Sequence, residues 1–152
     1  MSENMVKIRI GTIKEVVAIS QKVPEFGRPH GTEVYEQRLK DKMNLIAIAE
    51  MQNQLVGFKV GYDKFNNKSF YTWMGGVIPQ FRKSGVAKAL AQFQEGFAKA
   101  NGFVSIVLKT RNKHKNMLCF AISSGFDIIE IEEKPDVSEN RILLRKKLNI
   151  QQ

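Results

Sequence analysis

Apolar residues alternate in some stretches of the chain and recur at helical spacing in others, which predicts strands interleaved with helices. The segment 6–10 predicts an opening strand, and Thr12 then caps a helical stretch whose apolar face carries Val16, Val17 and Ile19. Two prolines and two glycines over 23–31 predict a loop. Further strands are predicted over 44–51, 54–62, 69–78, 103–108, 126–131 and 141–145, and further helices over 32–42, from Ser84 to about Ala100, and over 117–124.

These elements follow one another in the order β-α-α-β-β-β-α-β-α-β-β, which predicts a mixed sheet with helices on its faces. The chain has 152 residues, and no linker, repeat or low-complexity tract divides it. A chain of this length suits one domain with a sizeable core. We therefore expect an α/β (α+β) fold in a single domain over 1–152.

The junction after the strand over 69–78 has the composition of an anion-binding turn. Pro79 removes a backbone donor and ends the strand. Arg82 and Lys83 then lead into the helix, and Ser84 is predicted to be its N-cap. Free N–H groups and the helix dipole at such a turn favour a bound phosphate or pyrophosphate.

Two common phosphate-binding motifs do not fit this turn. A Walker A loop is excluded because the glycine that should directly precede Lys83-Ser84 is missing. The dinucleotide fingerprint needs three glycines that open the helix, and they are missing here.

The turn instead resembles motif A of the GNAT superfamily of N-acetyltransferases. The pattern Val-x-Pro-x-x-Arg-x-x-Gly-x-Ala is carried by Val77, Pro79, Arg82, Gly85 and Ala87. Every fixed position of the motif is matched. The small residue that usually follows the arginine is replaced by Lys83, which adds a phosphate contact.

The resemblance extends over nearly the whole chain. The order of elements is similar, the segment 55–58 resembles the family's third strand, and Gly125-Phe126 resembles the Gly-Phe that starts its sixth strand. It implies a mostly antiparallel, twisted sheet of about seven strands with helices on both faces. It also implies a β-bulge at Gly75-Gly76 that splays the fourth strand from the fifth and admits the pantetheine arm of CoA. Alternatively, the two glycines only relieve crowding near Trp73.

The activity implied by the resemblance is transfer of an acetyl group from acetyl-CoA to a primary amine by direct attack in a ternary complex. Backbone amides over 82–87 would hold the pyrophosphate, with Arg82 and Lys83 as charge partners, and an N–H near Val77 would stabilise the oxyanion. The implied cofactor-binding residues are Gly76, Val77, Arg82, Lys83, Ser84, Gly85, Val86, Ala87, Asn112 and His114.

The acid and the base are less well defined by the resemblance. Many family members protonate the leaving thiolate with a tyrosine on the helix before Gly-Phe, but Ala121 occupies that position here. A thiol pKa of about 8.5 would let the thiolate leave with water as the acid. The candidates for the base are Glu33 and Glu36 on the second helix, Glu50 at a strand end, Tyr71 on the fourth strand and His30 in the Pro/Gly loop. Histidine suits this role because it titrates near neutrality.

Composition and charge indicate which partners and which compartment to expect for the protein. The net charge of +9 favours anionic partners such as CoA, an acidic acceptor or nucleic acid. No apolar stretch of about 18 residues and no secretory signal is found, so we expect a cytoplasmic protein that needs no membrane. The single cysteine, Cys119, fits a reducing compartment and is expected to pack in its helix. No metal is expected.

Two other functions stay open. The missing tyrosine favours a non-catalytic acyl-CoA-binding module, which would bind cofactor without turnover. Charge alone favours a basic nucleic-acid-binding domain, whose affinity would depend steeply on salt. Nucleic acid is not required for the acetyltransferase, and self-association into a homodimer through strand edges is a further expectation.

Overall fold

The computed structural model describes residues 5–149, which form one seven-stranded sheet flanked by helices. The strands are β1 (Lys7–Ile10), β2 (Asn44–Met51), β3 (Gln54–Tyr62), β4 (Ser69–Val77), β5 (Ser105–Arg111), β6 (Asp127–Glu132) and β7 (Arg141–Lys147). The helices are α1 (Ile13–Ser20), α2 (Thr32–Leu39), α3 (Val86–Ala100) and α4 (Lys115–Ser123). Short 3₁₀ turns lie at Pro24–Phe26, Pro79–Phe81 and Val137–Glu139.

The sheet has the strand order β1-β2-β3-β4-β5-β7-β6, and every neighbouring pair is antiparallel except β4 with β5. Helices cover both of its faces, because alternate strand residues point to opposite sides. On β2, for example, Ile48 packs with α1 and α2, whereas Ala47 and Ala49 pack with α3. The α4 helix packs on β5 and β7 through Leu118. The predicted mixed, mostly antiparallel sheet is therefore confirmed.

The parallel strands β4 and β5 separate part-way along their length. They pair only from Ser69 with Ser105 to Thr72 with Leu108. Beyond this point β4 continues to Val77 and β5 to Arg111 without a common ladder. The predicted splay is therefore present, and it leaves a gap that begins next to Trp73.

The β-bulge lies at Trp73 and not at Gly75-Gly76, where it was predicted. Val60 pairs with Met74 and Gly61 with Thr72, so the extra residue of β4 is Trp73. Gly75 and Gly76 pair regularly with β3. Trp73 and Met74 both pack on the aromatic cluster under α1 and α2, and a bulge is what allows two successive residues to share one face.

Several other predictions are corrected at the level of single residues. The N-cap of α3 is Gly85, with φ of 83°, and the predicted cap Ser84 makes no capping bond. The β5 strand continues to Arg111, three residues beyond its predicted end at residue 108. Cys119 is exposed, since the packed face of α4 carries Leu118 and Ala121 instead. The predicted Thr12 cap of α1 is confirmed and forms a capping box with Glu15.

Candidate active site

A cleft of about 1030 Å³ opens where β4 and β5 separate. One wall is the turn between β4 and α3, and the opposite wall is the end of β5 with the first turn of α4. The 3₁₀ turn Pro24–Phe26 contributes Glu25 and Phe26 to the rim. Clefts of this size and partly apolar lining are typical of small-molecule sites.

The turn between β4 and α3 presents a run of free backbone donors, which we call the anion cradle (residues 83–88). The N–H groups of Phe81 and Arg82 are used inside the 3₁₀ turn, where they donate to Ile78 and Pro79. The first bond into α3 runs from the Ala89 N–H to the Gly85 carbonyl. Within the described residues, no acceptor lies within hydrogen-bond reach of the N–H groups between them, over 83–88.

Backbone conformation explains why these N–H groups converge. Lys83 has φ of 64° and Gly85 has φ of 83°, so left-handed residues flank Ser84. Alternation of this kind turns successive N–H groups towards one point and makes an anion-binding concavity. The positive end of the α3 dipole lies at the same place. The predicted set of amides over 82–87 therefore shifts by one residue, because the Arg82 N–H is already bonded.

The side chain of Arg82 is bonded within the protein. Its two terminal nitrogens each lie 2.8 Å from a carboxylate oxygen of Glu25, and its Nε donates to the carbonyl of Val77 at 3.0 Å. The Arg82 guanidinium holds the pKa of the Glu25 carboxyl below its usual range, with a smaller contribution from His114. Arg82 thus ties the Pro24–Phe26 turn to the end of β4. Its predicted role as a charge partner of the pyrophosphate stays a prediction, and the side chain also lines the cleft.

Backbone donors also face the gap between β4 and β5. The Ile78 N–H donates to Val56 at 2.8 Å, so the pair of Val77 with Gly57 exchanges no hydrogen bonds of its own. The N–H and C=O of Val77 therefore point away from β3; the C=O accepts from Arg82, and the N–H is directed towards the gap. Gly75 lies two residues earlier in the same register and has the same orientation. An amide-bearing ligand in the gap could bond to both residues.

The far wall of the cleft carries several cations. Lys109, Arg111, Lys113, His114 and Lys115 line it at the end of β5 and the start of α4. Arg111 and Lys113 are both paired with the carboxylate of Glu139, at 3.2 and 2.8 Å.

The two predicted polar contacts on this wall have different outcomes. His114 lines the cleft and is the N-cap residue of α4. Asn112 does not line it, since its amide donates to the Val137 carbonyl and accepts from Lys115. Asn112 therefore holds the loop in place, and Asn116, one turn on, lines the cleft instead.

An aromatic wall closes the cleft on the side of α1 and α2. Phe26, Phe58 and Trp73 line it. The ring of His30 stacks on Trp73 with centroids 6.0 Å apart, and the ring centroids of Tyr35 and Trp73 lie 5.0 Å apart. Burial raises the pKa of Tyr35 to about 12, and its hydroxyl has no hydrogen-bond partner among the described residues.

None of the five predicted bases is among the residues that line the cleft. Glu50 sits at the β1 edge of the sheet, where its carboxylate accepts from Arg9 at 2.9 Å. Tyr71 is buried before the splay begins, and burial raises its pKa. Glu33 is exposed in the first turn of α2. His30 is the predicted base that contacts a lining residue.

Sequence reasoning missed two lining residues of chemical interest. Glu25 is one, and its pairing with Arg82 joins residues 57 positions apart, for which the sequence gives no signal. Lys59 is the other: it lies on β3 and burial lowers its pKa from 10.5 to about 8, although Glu95 partly opposes this. A lysine inside the apolar strand 54–62 was the available signal.

The donors of the cradle and of the gap fit a ligand that joins a diphosphate to a chain of amides. A helix N-terminus with free N–H groups is a ready binding site for such a phosphate group. The sequence matches the Acetyltransferase (GNAT) family over residues 14–126, and the chain belongs to this family. The cofactor of the family is acetyl-CoA, and CoA has the diphosphate and amides that the cradle and gap suit.

Solved structures share the fold at low sequence identity. The ribosomal-protein-S18-alanine N-acetyltransferase from Escherichia coli has a TM-score of 0.80 at 14% identity, with 97% of each chain covered. The PaiA N-acetyltransferase from Thermoplasma acidophilum, crystallised with coenzyme A, has a TM-score of 0.70 at 16% identity over 94% of this chain and 99% of that one. Naa20 from Chaetomium thermophilum, crystallised with a bisubstrate analogue, has a TM-score of 0.75 at 16% identity over 93% and 86%. No curated protein matches the sequence significantly.

Residues 5–149 contain neither a helix suited to cross a membrane nor a cluster of side chains suited to hold a metal ion. None of the helices there is both long and apolar enough to span a bilayer. No group of three or more His, Cys, Asp and Glu side chains is arranged to hold a metal ion in that part of the chain.

Proposed function

We propose that the protein is an N-acetyltransferase that moves the acetyl group of acetyl-CoA to a primary amine by direct attack. The observation that carries the proposal is the run of free N–H groups over 83–88 at the mouth of the gap between β4 and β5. Acetyl-CoA supplies an activated thioester when bound. The protein then needs only to hold it, orient the amine and manage two protons.

Backbone groups do most of the holding in this proposal. The anion cradle binds the diphosphate, and Lys83 at its start supplies a charge. Gly75 bonds to the amide arm in the gap, where β5 no longer satisfies its N–H and C=O groups. The Val77 N–H faces the position where negative charge develops on the acyl oxygen, and a preorganised backbone donor is suited to that role. Val86, Ala87 and Gly76 complete the contact surface.

Removal of a proton from the incoming amine is assigned to His30, directly or through water. His30 stacks on Trp73, which lines the cleft, and its imidazole is a group that can act as a general base. Glu25 is closer to the cradle, but its pairing with Arg82 lowers its pKa and makes it a poor base. Glu33 is kept as the second candidate because it begins α2 on the same side of the sheet. Glu50 and Tyr71 are not retained.

The acceptor enters along the aromatic wall. Phe26, Phe58 and Trp73 offer an apolar surface, and Glu25 adds one negative charge at its rim. This lining suits a primary amine on an apolar small molecule or an unfolded peptide end. The cationic wall on the far side is then left to the phosphates of CoA, which accounts for part of the net charge of +9. We also propose that the protein acts in the cytoplasm and needs no nucleic acid.

A non-catalytic acyl-CoA-binding module is the second candidate, since Ala121 stands where many family members have a tyrosine acid. The enzyme and the non-catalytic module are distinguished by calorimetric titration with acetyl-CoA, followed by a free-thiol release assay over a panel of amines and peptides. The proposal expects saturable binding and amine-dependent thiol release. Binding without release from any acceptor supports the module. Binding to DNA or RNA that falls steeply with salt and ignores acetyl-CoA would support the nucleic-acid alternative.

The cradle itself is tested by one pair of variants. Gly85→Val strains a left-handed position and blocks close approach to the N–H groups, so it should weaken acetyl-CoA binding at least tenfold. Gly96→Val on the exposed middle of α3 is the matched control and should leave binding unchanged. Equal affinity of both variants would contradict the cradle assignment.

A further inference from the structure

A second, smaller space adjoins the cleft. This inner cavity of about 370 Å³ lies between α3 and α4 above β5. Its walls are mostly apolar and include Ile106, Leu108 and Phe126. The side chains that it shares with the cleft are Lys59, Thr72, Lys88, Leu108, Met117 and Phe120, so the two spaces meet along one boundary.

Lys59 reaches this boundary from β3. It pairs with Gly75 on β4, which has no side chain to block its path. A Cβ placed on Gly75 would lie 3.7 Å from the Cγ of Lys59, so the aliphatic stem passes over β4 beside the splayed gap. The lysine therefore approaches the gap from the α3 side of the sheet, opposite to the aromatic wall.

The Lys59 ammonium has no carboxylate partner among the described residues. The charged groups that line the same cavity are Lys88 and Glu95 on α3 and Lys146 on β7. Glu95 is paired with Lys146, which uses the only carboxylate of that set. The α4 side contributes Ser123 and Ser124 but no charge. A lysine that is half-buried and unpaired has a proton that it can give up.

The space in front of Lys59 exists because α4 is small there. Ala121 is buried and lines the inner cavity. A larger residue at this position would fill the cavity from the α4 side. In this protein the polar group that enters the inner cavity is Lys59, which comes from β3 on the opposite wall.

Resting on the function proposed above, we propose that Lys59 is the general acid that protonates the departing thiolate of CoA. The Nζ–H bond breaks as an S–H bond forms, leaving a neutral amine. The proton that the acceptor nitrogen loses goes to the base or to water, and Lys59 takes a proton from solvent before the next cycle. The reaction then yields amide and thiol with no net change in the protein.

The proton affinities of donor and acceptor support the assignment. Burial lowers the pKa of Lys59 to about 8. A free thiol has a pKa of about 8.5, so the transfer is close to thermoneutral. A general acid works best when its pKa lies near the operating pH, which an ordinary lysine would miss by several pH units.

The first test titrates the thiol of bound CoA by its ultraviolet thiolate absorbance, which needs no turnover. An ammonium near the sulfur should lower the thiol pKa by about one pH unit relative to Lys59→Met. Lys59→Arg keeps the charge and should retain the lowered value. Lys99→Met, on the exposed end of α3, is the matched control and should match the wild type. The same bound-thiol pKa in wild type and Lys59→Met would overturn the proposal.

The second test separates proton donation from simple charge. Arginine does not release its proton, so Lys59→Arg should slow single-turnover acetyl transfer by about 100-fold while CoA still binds. The wild-type rate should fall as the pH rises through 8, and this limb should be missing in Lys59→Met. Full activity in Lys59→Arg would overturn the role of Lys59 as the acid but leave the acetyltransferase proposal standing. Failure of the wild type to bind CoA would overturn the acetyltransferase proposal with it.

Discussion

Lys59→Met should stabilise the protein, and only over a defined pH range. The native pKa of Lys59 is about 8, against 10.5 for an exposed lysine. Below pH 8 the native state must hold a charge that it disfavours. Because the unfolded chain binds this proton more tightly than the native state between pH 8 and 10.5, the free energy of unfolding of the wild type rises across that interval.

The size of the effect follows from the same two values. The two pKa values differ by about 2.5 pH units, and each pH unit corresponds to about 1.36 kcal/mol, which gives an upper limit of about 3.4 kcal/mol. Lys59 is only half-buried, so solvent screening reduces the expected cost to about 1–2 kcal/mol. Methionine keeps most of the aliphatic volume and removes the charge, so little packing should be lost.

The measurement is urea unfolding of wild type and Lys59→Met at several pH values from 7 to 10.5. We expect Lys59→Met to be more stable below pH 8 and the difference to shrink as the pH approaches 10.5. Titration of all other groups is common to both proteins and cancels in the difference. Exposed Lys99→Met should give a small, pH-independent difference. A difference for Lys59→Met that stays constant over the whole range would refute the reasoning.

Three further substitutions test separate parts of the structure. Gly61→Ala would put a Cβ 2.8 Å from the Tyr71 carbonyl, so we expect a loss of about 3 kcal/mol in urea unfolding; a wild-type midpoint would contradict this contact. Gly85→Ala meets no neighbouring atom, so only backbone strain of about 1 kcal/mol should appear, and a larger loss would point to an unseen clash. Glu25→Gln should change stability by less than about 1 kcal/mol, because the pair is exposed, yet weaken acetyl-CoA binding as much as Arg82→Ala does. If calorimetry finds only Arg82→Ala weakened, the arginine contacts the cofactor itself.

The anion cradle was predictable because it is encoded locally. Pro79 ends the strand, and a glycine at 85 permits the left-handed backbone that turns the N–H groups outward. Both effects act within a few residues, so the sequence alone indicates them. Even here the cap was wrong by one residue: Ser84 is a common N-cap type, but with Lys83 also left-handed the helix begins after Gly85.

Features that depend on distant parts of the chain were not predictable. The bulge falls at Trp73 because Tyr35 and Tyr62 provide the aromatic surface that receives its ring, and both belong to other elements. The Arg82–Glu25 pair and the exclusion of Glu50 have the same origin, since each carboxylate is committed to an arginine far away in sequence. Residue type alone made all these acids look equivalent.

The contrast between features encoded locally and features that depend on distant residues matches the chemistry that the site has to perform. Binding a diphosphate and an amide arm requires backbone groups in a fixed turn, and a short motif is enough to specify them. Moving protons requires side chains whose pKa values are set by burial and by neighbours from several elements. A substitution that preserves the motif can therefore leave cofactor binding intact while the proton donor changes position. In this chain α4 carries Ala121 where a donor could stand, and Lys59, the acid that we propose, faces the same cavity from β3; on that proposal the fold keeps its cofactor site and relocates its acid.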